Sequence, residues 1–492
     1  VIYLNTKYQP QLFQNSLRYL LQFFRYSILS FIITQSAYTL NLDQYLIQVK
    51  QNNENLQANE LLMQSGFIRS EEGFLMTAPR LIGKTLYAEN REPFISRAVQ
   101  GDKTKTEVYN IGITKKFTTG TNVKFEYDNT YFHVDNVRSD LVNHEKFWLS
   151  KPIIALEQPL FRDWLGKETK ALINLKNTQM QAQGHASKFI VQNILMEAKT
   201  VYWDLASILA NIKIKQEAVA RSKTLFEWAK KRAELGLGND SDKIQAKSAL
   251  LQRELELQAL QDFKKNKARL FNALRNIQSD AIDEKLDSFD LINVKTLMPK
   301  DKKLPPAIRE DLKVQYQHYL LTQSQANIAE QNIMPQVNLN LTYYPIGRDM
   351  SHLNAMSEAW RLRRNTFSMG VTFDVPLDYN LNKNLASAYK AEKHAAELAL
   401  SRKQFEVTNE WQQLAEQFDL LYNQLQLSKQ LEITQSEKLK NEELLLKNGR
   451  TSTFQVIQFE QDYLSAQSQY YTIKNRLLNL AAAMELFTAN KV

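Results

Sequence analysis

Six histidines, His133, His144, His185, His318, His352 and His394, are scattered through the 492 residues. They form no HxxxH pair and no His–carboxylate pairing at ligand spacing. The chain has no cysteine, which removes disulfides, thiolate metal sites, cysteine nucleophiles and an N-terminal lipid anchor through cysteine. It has no Walker loop and no GxSxG, and Thr119-Gly120-Thr121 reads as a hairpin turn rather than a phosphate cradle. Asp240 and Asp242 invite a metal or acid/base reading, but Asp also suits the cap and first turn of a helix. These residue types predict neither an enzyme nor a cofactor or metal site.

The elements that position Asp240 and Asp242 are long helices. From Pro159 to Pro299, and again from Pro376 to the C-terminus, no proline intervenes. In the second run, Ala388, Ala391, Ala395 and Leu398 and then Leu414, Phe418, Leu421 and Leu425 recur at helical spacing. Ile457, Leu464, Tyr471 and Leu478 return every seven residues, which is a coiled-coil seam. The one break is Lys447-Asn448-Gly449-Arg450-Thr451-Ser452-Thr453, where glycine leaves one helix and hydroxyl residues cap the next. From about Leu385 to Lys447 the outbound helix would be roughly 90 Å long. The upstream run has Ile194, Ala198, Val201, Leu205, Leu209 and Ile212 on one face, a tip at Glu234 to Asp242, and a return to about Asn276. Trp203 and Trp411 are expected in the helical seams.

Pro159 lies 77 residues before Gly236, and Pro376 lies 73 before Gly449. The chain therefore reads as an internal duplication, repeat one over 38–306 and repeat two over 307–492.

A hydrophobic content of 43% with 23% charge excludes a disordered chain. Residues 1–37 carry Lys7, Arg18 and Arg25, no acid, and an apolar core from Tyr26 to Ile33. This is the pattern of a secretory leader cut near Ala37. Without it the formal charge falls from +9 to about +6, with no basic stripe of the kind that binds nucleic acid. No later apolar run is long enough for a membrane helix.

Between the helices the period changes to two. A helix from Leu42 to about Phe74 stops at Pro79, and Arg80 to Ala88 is a candidate strand. Tyr109, Ile111 and Ile113, then Val123, Phe125, Tyr127 and Tyr131, alternate with polar residues as a hairpin, and Phe147 to Leu156 follows. In repeat two a helix from about Ala307 to Ile333 precedes alternating Val337, Leu339, Leu341 and Tyr343. After a polar loop from Gly347 to Asn365 come Phe367, Met369, Val371, Phe373 and Val375. Such strands, rich in Tyr and Phe, suit a membrane β-barrel with aromatic girdles. Too few lie in one chain to close a barrel, and an open edge in lipid is forbidden, so several copies must pool them.

Several short segments then fall in a specific order. Ile333-Met334-Pro335-Gln336-Val337-Asn338-Leu339 enters a strand, while Glu157-Gln158-Pro159-Leu160 and Asp374-Val375-Pro376-Leu377 leave one. Val201-Tyr202-Trp203-Asp204-Leu205 lies on a long helix, and Leu235-Gly236-Leu237 and Asn448-Gly449-Arg450 form the tips. Over nearly everything after Ala37 the chain resembles the TolC-like outer-membrane efflux proteins, or outer membrane factors.

The resemblance implies a homotrimer that is mainly α with a membrane β-barrel portion. Two structural repeats supply long antiparallel helical hairpins, forming a trimeric α-barrel continuous with a 12-stranded β-barrel in outer-membrane lipid. It implies an outer membrane of a Gram-negative cell, with the helical part in the periplasm. It also implies a passive conduit serving efflux or type I secretion, coupled to an inner-membrane pump through a periplasmic membrane-fusion adaptor. The adaptor-docking tips would be Gly236, Leu237, Gly449 and Arg450. The family's gate carboxylates stand six positions after each tip glycine, which gives Asp242 but Gln455 in this chain, with Gln458 one turn on. The second departure is strand number: repeat one offers four candidates where the family has two. That leaves four or six strands per protomer, hence either a larger barrel or an extra periplasmic hairpin. The competing reading is a periplasmic coiled-coil adaptor or scaffold, but the C-terminal 473–492 leaves no room for the globular domain it needs.

Overall fold

The computed structural model describes residues 39–92, 98, 101–138, 144–282, 284–287, 289, 292–298 and 301–488. The expected leader at 1–37 lies outside the described residues. In chain order the elements are β1 (Thr39–Leu40), α1 (Leu42–Asn52), α2 (Glu54–Ile68), β2 (Arg80–Asn90), β3 (Lys103–Lys116), β4 (Asn122–Asp135) and β5 (Lys146–Pro159). There follow α3 (Lys167–Glu234), α4 (Asp240–Leu274), β6 (Lys285–Leu286), α5 (Glu310–Asn332), β7 (Gln336–Pro345), β8 (Gly347–Asp349) and α6 (His352–Trp360). The chain ends with β9 (Asn365–Asp374), α7 (Tyr379–Lys447) and α8 (Thr453–Met484). The helices α3 and α7, at 68 and 69 residues, each run through both of two compact units.

One unit comprises the described parts of Asn55–Ile194, Pro299–Gln417 and Met484–Val492. Its centre is an antiparallel sheet in the order β2-β3-β4-β5-β7-β9, with the short β8 continuing beside β5. All four strands expected in repeat one form, and the hairpin β3–β4 lies within the same sheet, between β2 and β5. The register sets Ile113 opposite Phe125, Phe125 opposite Ile154, and Ile154 opposite Tyr343, which faces Phe367. Because side chains alternate, one face therefore carries these residues with Leu81, Ile111, Leu156, Leu341 and Met369. The other carries Lys84, Asn110, Asp128, Asn340 and Thr372. The apolar face is widely open: Leu81 is 75%, Met369 69% and Phe373 78% exposed. Neither β2 nor β9 has a partner on its outer edge among the described residues.

While α6 lies at one end of this sheet, the helices α2, α3, α5 and α7 all join it at the other, before β2 and β7 and after β5 and β9. The β3–β4 turn is clasped there. Gly120 turns with φ 83° and donates to the Phe117 carbonyl (2.9 Å), and Lys116 pairs with the Asp163 carboxylate at 3.1 Å. A Cβ on Gly166 would fall 1.7 Å from the Thr118 carbonyl oxygen, so only glycine lets α3 start so close to the turn. Below it, α2 crosses α3 at Gly66 and Gly184, where a Cβ on Gly66 would lie 2.6 Å from the Gly184 nitrogen.

Two expectations change in detail. The first helix breaks at Asn53, whose side-chain amide donates to the Leu274 carbonyl (2.9 Å), and a 3-10 segment Arg69–Thr77 replaces its last turns. The stretch expected as a polar loop from Gly347 to Asn365 holds β8 and α6. No glycine or proline interrupts 348–364, so nothing stops a helix there.

The other unit comprises the described parts of Val1–Glu54, Leu195–Met298 and Phe418–Ala483. Tyr45, Tyr202 and Phe271 pack together at zero exposure, with the Tyr45 and Phe271 rings stacked 4.1 Å apart. Their polar ends are satisfied, as burial requires: Tyr45 donates to the Phe271 carbonyl and Tyr202 to that of Leu40. The latter bond anchors β1, which pairs in parallel with β6. Along the helices, Asp204 joins Lys267, Asn475 and Asn479 at 2.8, 2.8 and 3.0 Å. Burial works against its charge, but these donors prevail and hold its pKa below the usual carboxylate value.

Candidate functional site

The two hairpin tips lie in this second unit and are built alike. Gly236 has φ 67° and Gly449 φ 68°. At the first tip the Gly236 N–H donates to the Ala233 carbonyl (3.1 Å) and the Leu237 N–H to that of Arg232 (2.8 Å). At the second the Gly449 N–H donates to Leu446 (3.0 Å) and the Arg450 N–H to Leu445 (2.9 Å). Both are Schellman caps, the arrangement for which a left-handed glycine is suited. Each return helix then opens on its own cap. Asn239 accepts from the Ser241 N–H, and Ser452 Oγ accepts from that of Gln455.

Asp242 is thus not the cap of α4 but a member of its first turn, where a carboxylate complements the helix dipole. It is half-buried and lines a cleft of about 360 Å³ with Trp228, Arg232, Gly449, Arg450 and Ser452. The structure so brings Asp242 to the second tip, beside Gly449 and Arg450. Gln455 and Gln458 do not line this cleft; Gln455 is half-buried, and exposed Gln458 donates to Asp462 at 3.5 Å. Leu237 is 66% exposed, and no atom would meet a Cβ at either tip glycine.

Behind the tips α3, α7 and α8 share an apolar core of Leu439, Leu446 and Val456, with Trp228, Phe459 and Tyr463 against it. One buried carboxylate interrupts it. Glu460, 5% exposed at its side chain, takes the Arg221 Nε at 3.1 Å and the Ser222 hydroxyl at 3.2 Å. A cleft of about 420 Å³, lined by Arg221, Trp228, Leu439, Val456 and Glu460 among others, opens beside this pair. Lys438 meets Asp462 and lies over the Phe459 ring, and the Thr451 hydroxyl is bonded to Glu442. Sequence reasoning missed Glu460 and Arg221. They stand 239 residues apart, and their only local signal is a carboxylate on the apolar stripe of α8.

No group of three or more His, Asp or Glu side chains among the described residues is placed to hold a metal ion. Of the histidines, His185 pairs with Glu310 at 2.7 Å and His352 packs against Trp148.

No family description and no curated protein matches the chain in sequence. Solved structures do match in fold. CusC, described for folding and transmembrane channel formation, aligns with a TM-score of 0.61 at 11% identity, over 94% of this chain and 96% of that one. The outer-membrane protein VceC of Vibrio cholerae aligns at 0.60 and 14%, over 90% and 95%. The CmeC outer-membrane channel of Campylobacter jejuni aligns at 0.58 and 14%, over 91% and 85%. At such identities the likeness is one of fold, and it extends over nearly the whole of each chain.

Proposed function

We propose that this chain, whose fold is that of the TolC-like outer-membrane efflux channels, is the exit duct of a tripartite efflux or type I secretion system. One observation carries the reading: a sheet with an open apolar face, a polar face, and two edges that are unpaired among the described residues. In water such a sheet is an aggregation hazard. In a membrane it is a wall segment, and it becomes stable only when its edges close.

The closing partner is another copy of the chain. With an even number of long strands, β9 of one copy runs antiparallel to β2 of the next, and the apolar faces continue across the joint. Three copies, the number that the family resemblance supplies, then pool six strands each into an 18-stranded barrel. Diameter grows about linearly with strand number, so this pore is about half as wide again as a 12-stranded one. The extra hairpin β3–β4 enlarges the barrel rather than hanging below it.

The remaining parts follow from the tips. Gly236, Leu237, Gly449 and Arg450 form the surface that a periplasmic adaptor reads, and the inner-membrane pump beyond it supplies the energy. Asp242 recurs three times around the axis and sets a weak cation preference, which uncharged Gln455 and Gln458 do not reinforce. An adaptor or scaffold reading leaves the apolar sheet face without a solvent. Recovery of the protein in outer-membrane fractions, as a species that runs as a trimer unheated and as a monomer after boiling, supports the duct. Recovery as a soluble periplasmic monomer overturns it.

A further inference from the structure

The helix α6 is built inside out for a soluble protein. It lies over the sheet at the end opposite the long helices, in the connection between β7 and β9. The side it turns to the sheet is made of small residues and one histidine: Ala355 and Ala359 are fully buried, and His352 meets the Trp148 ring at 4.8 Å. A Cβ on Gly347 would fall 1.8 Å from the Ala355 carbonyl oxygen, so α6 is seated as closely as backbone allows. Its other side carries Leu353 (71% exposed) and Met356, and Trp360 (53%) stands at the margin of this face, partly against the sheet and partly open.

The register fixes which side of the sheet this is. Trp360 stacks on Tyr127 and His352 touches Trp148. Tyr127 and Trp148 stand on the apolar face, where Tyr131, opposite Trp148, and Tyr109 complete an aromatic cluster. Aromatic residues of this kind gather at membrane–water interfaces.

Charge then singles out the covering medium. Immediately after α6 come Arg361, Leu362, Arg363 and Arg364, all exposed. Arg364 lies 3.6 Å from Glu358, but no carboxylate among the described residues pairs with Arg361 or Arg363. Leu362 holds φ 55°, a conformation that helix ends usually give to glycine or asparagine, yet a 51%-exposed leucine occupies it. An apolar stripe bordered by unpaired arginines is the pattern of a helix lying in the plane of an anionic lipid surface.

We propose that α6 is an interfacial helix of the barrel's outer wall. Leu353, Met356, Trp360 and Leu362 would enter the acyl boundary, and Arg361, Arg363 and Arg364 would bind the phosphates of anionic lipid headgroups. The proposal rests on the duct reading, since it needs the sheet's apolar face to meet lipid.

The absence of cysteine makes any introduced thiol unique. Spin labels at Leu353→Cys and, separately, at Met369→Cys on the sheet are compared in the trimer reconstituted in phosphatidylcholine vesicles containing phosphatidylglycerol. Collisions with oxygen, which partitions into lipid, are measured against those with an aqueous nickel chelate. The oxygen-to-nickel ratio at Leu353→Cys is expected well above that of a water-exposed label and below that at the deeper Met369→Cys. A label at Leu353→Cys that is open to nickel, or shielded from both by a second protein surface, overturns the proposal while an oxygen-favoured Met369→Cys leaves the duct standing. A nickel-favoured Met369→Cys overturns both. Adding phosphatidylglycerol to pure phosphatidylcholine should raise the ratio at Leu353→Cys, and the combined Arg361→Gln, Arg363→Gln and Arg364→Gln variant should lose that rise. An equal rise in the variant, or none in the parent, overturns headgroup binding.

Discussion

Gly236 and Gly449 hold the same left-handed backbone, φ 67° and 68°, and each ends its helix with the same pair of hydrogen bonds. Among the described residues, a Cβ at either position meets no atom within 4 Å. Substitution there therefore costs backbone strain and nothing from packing, about 1–2 kcal/mol for an L side chain. Gly449→Val should loosen the tip, read as faster amide exchange over 448–454, and weaken capture of the periplasmic adaptor. Trimer yield and overall helicity should stay unchanged. If export and adaptor capture survive both Gly449→Val and Arg450→Glu, docking lies elsewhere.

The Asp242 cleft makes a prediction about ions. The carboxylate sits between the tips beside Arg450, and position 455 is uncharged. In planar bilayers, Asp242→Asn should lower the cation preference read from reversal potentials, and Gln455→Asp should raise it. No shift in either variant would mean that neither side chain lines the conduction path.

Glu310 supplies a pH dependence. Its carboxylate, 4% exposed, meets His185 Nδ1 at 2.7 Å, Lys188 Nζ at 2.9 Å and Lys313 Nζ at 3.0 Å. Burial opposes the ionised form, but these hydrogen bonds outweigh it and hold the pKa at about 2, against an ordinary 4.5. A depressed pKa stabilises the fold fully above about 4.5, and that contribution disappears as pH falls toward 2. Glu310→Gln should lower stability by about 1–2 kcal/mol at neutral pH, since the lysines it leaves are partly open to water, and flatten the acid limb between pH 4.5 and 2. Melting curves that keep the parent's acid limb would show that the cluster does not carry it.

Much of this architecture was readable from local chemistry. The lone Gly449 in one long proline-free run and the Gly236-Leu237-Gly238 segment in the other mark the tips, and the alternation of Tyr109, Ile111 and Ile113 with Val123, Phe125 and Tyr127 marks the hairpin that adds two strands. What stayed hidden was long-range or inverted. Glu460 meets Arg221 and Glu310 meets His185 across 239 and 125 residues, and no local pattern announces such pairs. The sequence of α6 reads as a loop because the helix is short and turns most of its apolar residues away from the protein. The break at Asn53 depends on a carbonyl supplied by α4, far along the chain.

The central claim is that β9 of one copy pairs with β2 of the next to close an 18-stranded barrel of three chains. Thr85 on β2 shares the apolar face with Phe367, Met369, Val371 and Phe373 on β9. Thr85→Cys is combined in turn with Cys at each of those four β9 positions, and the assembled protein is oxidised in the membrane. With no native thiol to compete, one or two adjacent positions should give a ladder of covalent dimer and trimer that survives boiling and collapses on reduction. Monomer alone at every position, from protein that still fractionates as an assembled trimer, would contradict the closure.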